Sequence, residues 1–317
     1  MELFAIYQRK YRVTPDTSTK FGFFSFENSK YLTDFEPDGA RCLLPCFDEP
    51  FVKATFSVTV CIPSKFTCIS NMPSYKQVTS ADYKEKTLYF LKTPPMCSYL
   101  LCICVGKFDY ISGRTKRGIP VIFYYDSGPT QLDPEYVKTA IFTIDWMEEH
   151  FKVKYDLPLL QLITVDGFTK AMEIYGLITL LEYPASASYD HERIIIHEVV
   201  HQWFGNLVSI KYWDSVWLNE GFARYLDMCI YNEFPNDYRK KSDFFHDKID
   251  INCKQFFKRG IVCPDEKDIV VNQRKLFDNL VYFKGSFVTK MFKDLIGNDQ
   301  FFKLCSKWLV EFSNKAA

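Results

Sequence analysis

Along the first third of the chain, apolar and polar positions alternate over short stretches. Phe56, Val58, Val60 and Ile62 are separated by polar or small residues, and residues 88–92 and 99–105 are further short apolar runs between turns that contain Pro and Ser. A period of two is that of a half-buried strand, so this part is predicted to be all-β. The polar, basic, glycine-containing stretch 112–118 marks the expected domain boundary. Beyond it the period changes. Tyr136, Val137, Ala140, Ile141, Ile144 and Met147 recur at helical spacing behind Asp133-Pro134, an N-cap followed by proline in the first turn, and so predict one amphipathic helix. From about residue 190 the pattern is mainly helical, with Gly297 as a stop before a last helix over residues 299–313. No long linker, internal repeat or low-complexity tract intervenes.

Composition narrows the class. At 317 residues, 47% hydrophobic and 25% charged, the chain can build two ordinary globular domains. Thirty-nine basic residues balance 39 acidic ones, so net charge draws the protein neither to nucleic acid nor to an anionic membrane. The start, MELFAIYQRKYRV, has too short an apolar stretch for a secretory signal, and no run approaches the ~18 apolar residues of a membrane span. Eleven scattered cysteines and no Asn-x-Ser/Thr sequon fit free thiols in a reducing compartment, hence a cytoplasmic, soluble chain. Cys42/Cys46 and Cys102/Cys104 are close pairs, but neither has CxxC spacing, and buried thiols are the expected reading.

The candidate chemistry lies in His197-Glu198-Val199-Val200-His201, within an Ile-rich helical stretch that begins near His191. Residues four apart on a helix share a face, so His197 and His201 can give two imidazole nitrogens to one zinc ion. Glu198 is then placed to reach the attacking water rather than the metal. Five His and 16 Glu in 317 residues would give such a match by chance on the order of 0.005 times. A structural zinc site is the better rival, but it normally takes four protein ligands rich in Cys. A third ligand is sought downstream. Eighteen residues separate His201 from Glu220, which a second helix can return to the first. A lone Glu there is ordinarily solvated, yet Trp217, Leu218 and Phe222 around it point to partial burial, and a buried carboxylate needs a partner.

These residues carry a resemblance. His197-Glu-Val-Val-His201-Gln-Trp-Phe-Gly-Asn206 with Trp217-Leu-Asn-Glu220-Gly-Phe-Ala223 is similar, almost letter for letter, to the aminopeptidase N-type (gluzincin) zinc metallo-aminopeptidase family. Asp34-Phe-Glu36-Pro, Ala40-Arg41, Pro45-Cys-Phe-Asp-Glu-Pro50, Lys53-Ala-Thr-Phe56, Ser70-Asn-Met-Pro73 and Thr93-Pro-Pro-Met96 look like that family's β-domain signature, and Tyr282-Phe-Lys-Gly285 looks like its Tyr-x-Lys-Gly motif. The resemblance runs from about Gly22 to the C-terminus. It implies an α+β fold: a partial, saddle-like β-domain over residues 1–111, then a thermolysin-like, mainly helical catalytic domain over 112–317. It implies one Zn2+ per chain on His197, His201 and Glu220, with Glu198 as general base and acid, and Tyr282 stabilising the oxyanion. Glu36 and Glu173 would hold the free α-amino group of a peptide substrate, with Lys170, Ala171 and Met172 lining its path. Two carboxylates facing an ammonium account for exopeptidase action, since a mid-chain peptide bond has no cation to neutralise them.

The chain departs from the pattern in three places. The family's Gly-Ala-Met-Glu-Asn loop reads Lys170-Ala171-Met172-Glu173-Ile174, with Tyr175 where Trp is usual. The glycine permits close approach of a peptide, so Lys170 is expected to narrow the site or repel an N-terminal ammonium. The interval from Glu173 to His197 is about ten residues shorter than the resemblance implies. Family members also carry about a hundred residues before the segment matching Gly22 and a large helical domain after the catalytic one, so the chain is expected to be truncated at both ends. The leading expectation is a zinc aminopeptidase. The alternatives are an endopeptidase or epoxide-opening hydrolase on the same scaffold, against which Glu36 and Glu173 speak, and a catalytically silent remnant that binds peptides or a partner protein.

Overall fold

The computed structural model describes residues 13–16, 20–26, 30–126, 134–165, 170–181, 191–235, 260 and 277–317. The alternating first third forms short strands: β1 (Gly22–Phe26), β2 (Lys30–Asp34), β3 (Lys53–Ala54), β4 (Thr59–Pro63), β5 (Thr67–Ser70), β6 (Ser74–Thr79), β7 (Glu85–Phe90), β8 (Met96–Cys97) and β9 (Ile103–Gly106). They assemble as an antiparallel sheet in the order β1-β2-β9-β5, a three-stranded sheet β4-β7-β6 and a β3-β8 pair. The run 99–105 is only half strand. Residues 98–100 form a 3-10 turn, because side chains replace the sheet ladder there. Asn71 Nδ2 donates to Leu100 O, Asn71 Oδ1 accepts from the Cys102 amide, and Ser98 Oγ donates to Asp48. Phe56 and Val58 likewise precede β4, pairing through Thr93 and Phe90.

The second sheet is mixed. β10 (Phe108–Arg114) and β11 (Pro120–Asp126) form a hairpin, and β12 (Leu160–Val165) and β13 (Leu177–Leu181) add to it in parallel. The stretch 112–118 is therefore the end of β10 and an exposed hairpin turn, closed by Arg114 Nη1 donating to Gly118 O at 2.9 Å. The expected division between residues 111 and 112 falls inside β10, and the chain changes sheet at Lys107. The basic residues of this stretch are the solvated tip of a hairpin.

Helix α1 (Glu135–Phe151) buries Val137, Ala140, Ile144 and Met147, the positions given by the periodicity, and ends on Lys152 at φ 55°. Its N-cap position is Pro134; Asp133 lies outside the described residues. α1 packs on α2 (His191–Val200), and α2 packs on α3 (Trp217–Glu233). Next come α4 (Asn279–Ile296) and α5 (Asn298–Glu311), separated by Gly297 at φ 85°, the stop expected there. A two-residue parallel pair, β14 (Val208–Ser209) with β15 (Lys315–Ala316), ties the end of the chain to the turn after α2. The fold is α+β, sheet-rich first and helical afterwards. Among the described residues no helix is long and apolar enough to cross a membrane. The nine described cysteines are free thiols.

One apolar core joins the two parts, running from Phe24, Leu32 and Tyr99 through Leu162, Ile163 and Ile178 to Ile195, Val199 and Trp213. Lys53 bridges them with polar contacts: its Nζ donates to Asn206 O at 2.8 Å and Leu207 O at 2.9 Å. Helices α3 and α4 meet backbone to backbone. A Cβ at Gly221 would come within 2.7 Å of the Gly285 carbonyl carbon, and one at Gly285 within 2.9 Å of Gly221 Cα, so only glycine fits either position.

Candidate metal centre

On α2, Ile195, Ile196, Val199 and Val200 turn into the core and hold the helix, which leaves His197 and Glu198 on the side toward α3. The regular helix stops at Val200, but the His201 amide still donates to His197 O at 3.2 Å, so both histidines keep one face. Glu220 sits in the first turn of α3, 3% exposed. Three donor atoms converge: His197 Nε2 lies 3.1 Å from His201 Nε2 and 3.2 Å from Glu220 Oε2, and His201 Nε2 lies 3.4 Å from Glu220 Oε2. A tetrahedral ion with bonds of 2.0–2.1 Å has ligand atoms about 3.3 Å apart, so this triangle fits one face of a zinc tetrahedron.

Electrostatics point the same way. Burial opposes charge on His201, yet the Glu220 and Glu173 carboxylates hold its proton up to about 10. Burial also acts against the Glu220 carboxylate, and the imidazoles of His201 and His197 overcome it, holding the group down at about 2. A field that keeps a proton on a buried imidazole favours a cation there, and a metal competes with that proton for the nitrogen.

Outer partners fix both rings. His201 Nδ1 is 3.0 Å from Phe204 O, and His197 Nδ1 is 3.3 Å from Asp227 Oδ2. Asp227 is fully buried and bonded by Arg193 Nη2 at 2.8 Å and Arg224 Nη1 at 2.9 Å; burial resists its charge, and the arginines with His197 hold it well below the usual carboxylate range. Sequence reasoning missed Asp227. Its signal was a charged residue seven positions after Glu220, on the same face of an apolar helix.

Glu198 is 6% exposed. Burial, against the attraction of His197 and His201 and with the repulsion of Glu173 and Glu220 added, pushes its carboxyl up to about 7, where a group can both take and give a proton near neutrality. Tyr282, on α4, stacks on His197 with ring centroids 6.0 Å apart. Burial first, then the carboxylates of Glu220 and Glu36, keep its phenol protonated and so a hydrogen-bond donor.

A second corner opens beside the triangle. Carboxylate oxygens of Glu36, Glu173 and Glu220 all lie within 4.8 Å of one another. Glu36 follows β2, and Glu173 follows a short edge in which Met172 pairs with Thr179 of β13, amide to carbonyl in both directions at 2.9 and 3.1 Å. The Glu173 carbonyl is held from the metal side by Asn206 Nδ2 at 2.7 Å and Gln202 Nε2 at 3.1 Å. Asn71 Nδ2 pins the same loop at Tyr175 O, 2.8 Å away. Gln202, Asn206 and Asn71 were quoted within motifs but given no role. Their signal was buried amide side chains among apolar neighbours, which need backbone partners.

The departures have physical outcomes. Tyr175 is buried and its hydroxyl donates to Asp156, so the phenol finds a partner in the core. Ile174 and the Met172 side chain turn into the core, and Ala171 is half-buried. Lys170 reaches into the corner as a paired cation: its Nζ donates to Glu36 Oε2 at 3.1 Å and lies 3.6 Å from Asp34 Oδ2.

Residues 136–317 match the Peptidase family M1 domain, and residues 1–100 match the Peptidase M1 N-terminal domain. Glutamyl aminopeptidase of Rattus norvegicus is 34% identical over 297 residues, covering 90% of this chain and 31% of that protein. Aminopeptidase M1-A of Oryza sativa subsp. japonica is 33% identical over 297 residues, 89% of this chain and 33% of its own length. Endoplasmic reticulum aminopeptidase 2 of Homo sapiens is 31% identical over 331 aligned residues, 97% of this chain and 34% of its own length. The chain thus spans about a third of the length of these relatives.

Proposed function

The chain belongs to the M1 peptidase family, of the aminopeptidase N type, and from that premise we propose that it is a zinc-dependent aminopeptidase that hydrolyses the N-terminal bond of peptides. The observation that carries this reading is the convergence of Glu36 and Glu173 on Glu220 of the ligand triangle. Glu173 Oε1 is buried and accepts no hydrogen bond among the described residues, a condition that a bound ammonium relieves.

His197, His201 and Glu220 would hold a zinc ion, which would supply Lewis-acid chemistry for the scissile carbonyl and the attacking water. Glu198 takes the proton of that water and hands it to the leaving amine, a double duty suited to a carboxyl near pH 7. Tyr282 donates its hydroxyl to the oxyanion. Glu36 and Glu173 orient the substrate through its α-ammonium, so that the first peptide bond and no later one meets Glu198. Asn206 and Gln202 couple the two corners, since the backbone carbonyl they hold belongs to Glu173.

The reading is tested with fluorogenic aminoacyl amides, each with a free and an acetyl-blocked N-terminus, with and without a zinc chelator. Cleavage confined to free-amine substrates and abolished by the chelator is the expected result. Absence of cleavage by folded, zinc-loaded protein would defeat it, and equal cleavage of blocked substrates would defeat the role of the two carboxylates.

A further inference from the structure

Lys170 begins the edge segment that leads to Glu173. Its Nζ makes three contacts: Glu36 Oε2 at 3.1 Å, Asp34 Oδ2 at 3.6 Å and Met172 Sδ at 3.7 Å. The partners are buried, with side chains 9% exposed for Glu36 and 6% for Asp34, whereas the Lys170 side chain is 42% exposed. A cation on a flexible, partly exposed stem therefore closes over two carboxyl groups that solvent barely reaches.

A lysine head group is a primary ammonium: one positive charge and three donors, the same group that begins a peptide. Glu36 has this partner within the chain, while Glu173 Oε1, across the same corner, accepts no hydrogen bond among the described residues. An incoming ammonium bound by both carboxylates would lie beside Lys170 Nζ. Two like charges sharing Glu36 repel, and the one that can leave at lower cost is Lys170, because its exposed stem returns the head to water.

We propose that Lys170 is an internal competitor for the substrate's α-ammonium, seated on Glu36 in the free protein and displaced by the peptide N-terminus. It is thereby the residue that sets how strongly this corner selects free amines. The proposal rests on Glu36 and Glu173 being the amine-binding pair. The arrangement has two effects. Lys170 neutralises part of a buried acidic cluster when no substrate is present, and it weakens the binding of every free amine by the charge-assisted hydrogen bond that must first be broken.

The test is isothermal calorimetry on the zinc-loaded chain with leucinol, a free amine with no bond to hydrolyse, and with N-acetyl-leucinol as its uncharged control. The proteins are wild type, Lys170→Met, which keeps the apolar stem, and Lys170→Gln, which keeps polarity. Both variants are expected to bind leucinol roughly ten-fold or more tightly than wild type, with N-acetyl-leucinol unchanged. Thermal melts identify a variant that has lost its fold, and the other then decides. Leucinol affinity equal to wild type in the folded variants, or an equal gain for the acetylated control, overturns the proposal. Failure of the peptidase reading is separate: it shows as absent cleavage in all three proteins, while the calorimetric ratio still reads Lys170.

Discussion

The His197–His201–Glu220 triangle and the corner of Glu36 and Glu173 meet at Glu220 but are assembled in opposite ways. His197, His201 and Glu220 come from two helices in direct contact, with His197 and Glu220 only 23 positions apart, and each histidine ring is fixed by a partner within the same stretch of chain. Glu36 and Lys170 are 134 positions apart, and they meet where the shared apolar core and the bonds of Asn71, Gln202, Asn206 and Lys53 bring a β-domain residue against an edge segment. Chemistry that must hold a metal within a few tenths of an ångström is built from rigid, local parts. The carboxylate corner is built from long-range contacts, in which the Lys170 ammonium sits on Glu36.

The comparison can be broken most sharply at Glu198. Glu198→Gln leaves every ligand atom of the triangle in place, so zinc content measured by atomic emission should be unchanged while kcat falls by about a thousand-fold. An active Glu198→Gln protein would sink the proposed role. Asp227→Asn comes next. It should lower zinc affinity by roughly 10–100-fold in a chelator competition, with leucinol discrimination in the zinc-saturated protein retained. A loss of discrimination equal to the loss of metal would show that the corners are not separable. The smallest effect is expected from Lys53→Met, which removes the bonds to Asn206 O and Leu207 O. Denaturant unfolding should show a loss of about 1 kcal/mol, because relief of a buried ammonium offsets part of the lost bonding. Preference for leucinol over its acetylated form should narrow while zinc binding stays. The reverse pattern would place the bridge on the metal side.

The same contrast explains what could be read from the chain alone. The HExxH spacing, the helical periodicity of α1 and the Gly297 stop are local signals, and each appears in the structure where the spacing put it. The β pattern gave strands but not their bounds, because Asn71 and Ser98 side chains supply bonds that a sheet ladder would otherwise make. The hairpin 108–126 was not legible, because basic, glycine-containing residues are alike in a hairpin turn and at a domain boundary. The spacing of Asp227 from Glu220 gives a shared helix face but not its partner His197, 30 positions away, and the pairing of Lys170 with Glu36 depends on a contact that no local window contains. Glu36 and Glu173 were legible only through family resemblance.

The glycine contact between α3 and α4 has a consequence for how such a protein can change. Each of Gly221 and Gly285 would, with a side chain, meet main-chain atoms of the other helix, and main chain cannot rotate aside as a rotamer can. A substitution at one glycine therefore has no compensating substitution at the other. The joint between the helices that carry Glu220 and Tyr282 therefore admits no side chain on either face, and its spacing is set by main chain alone.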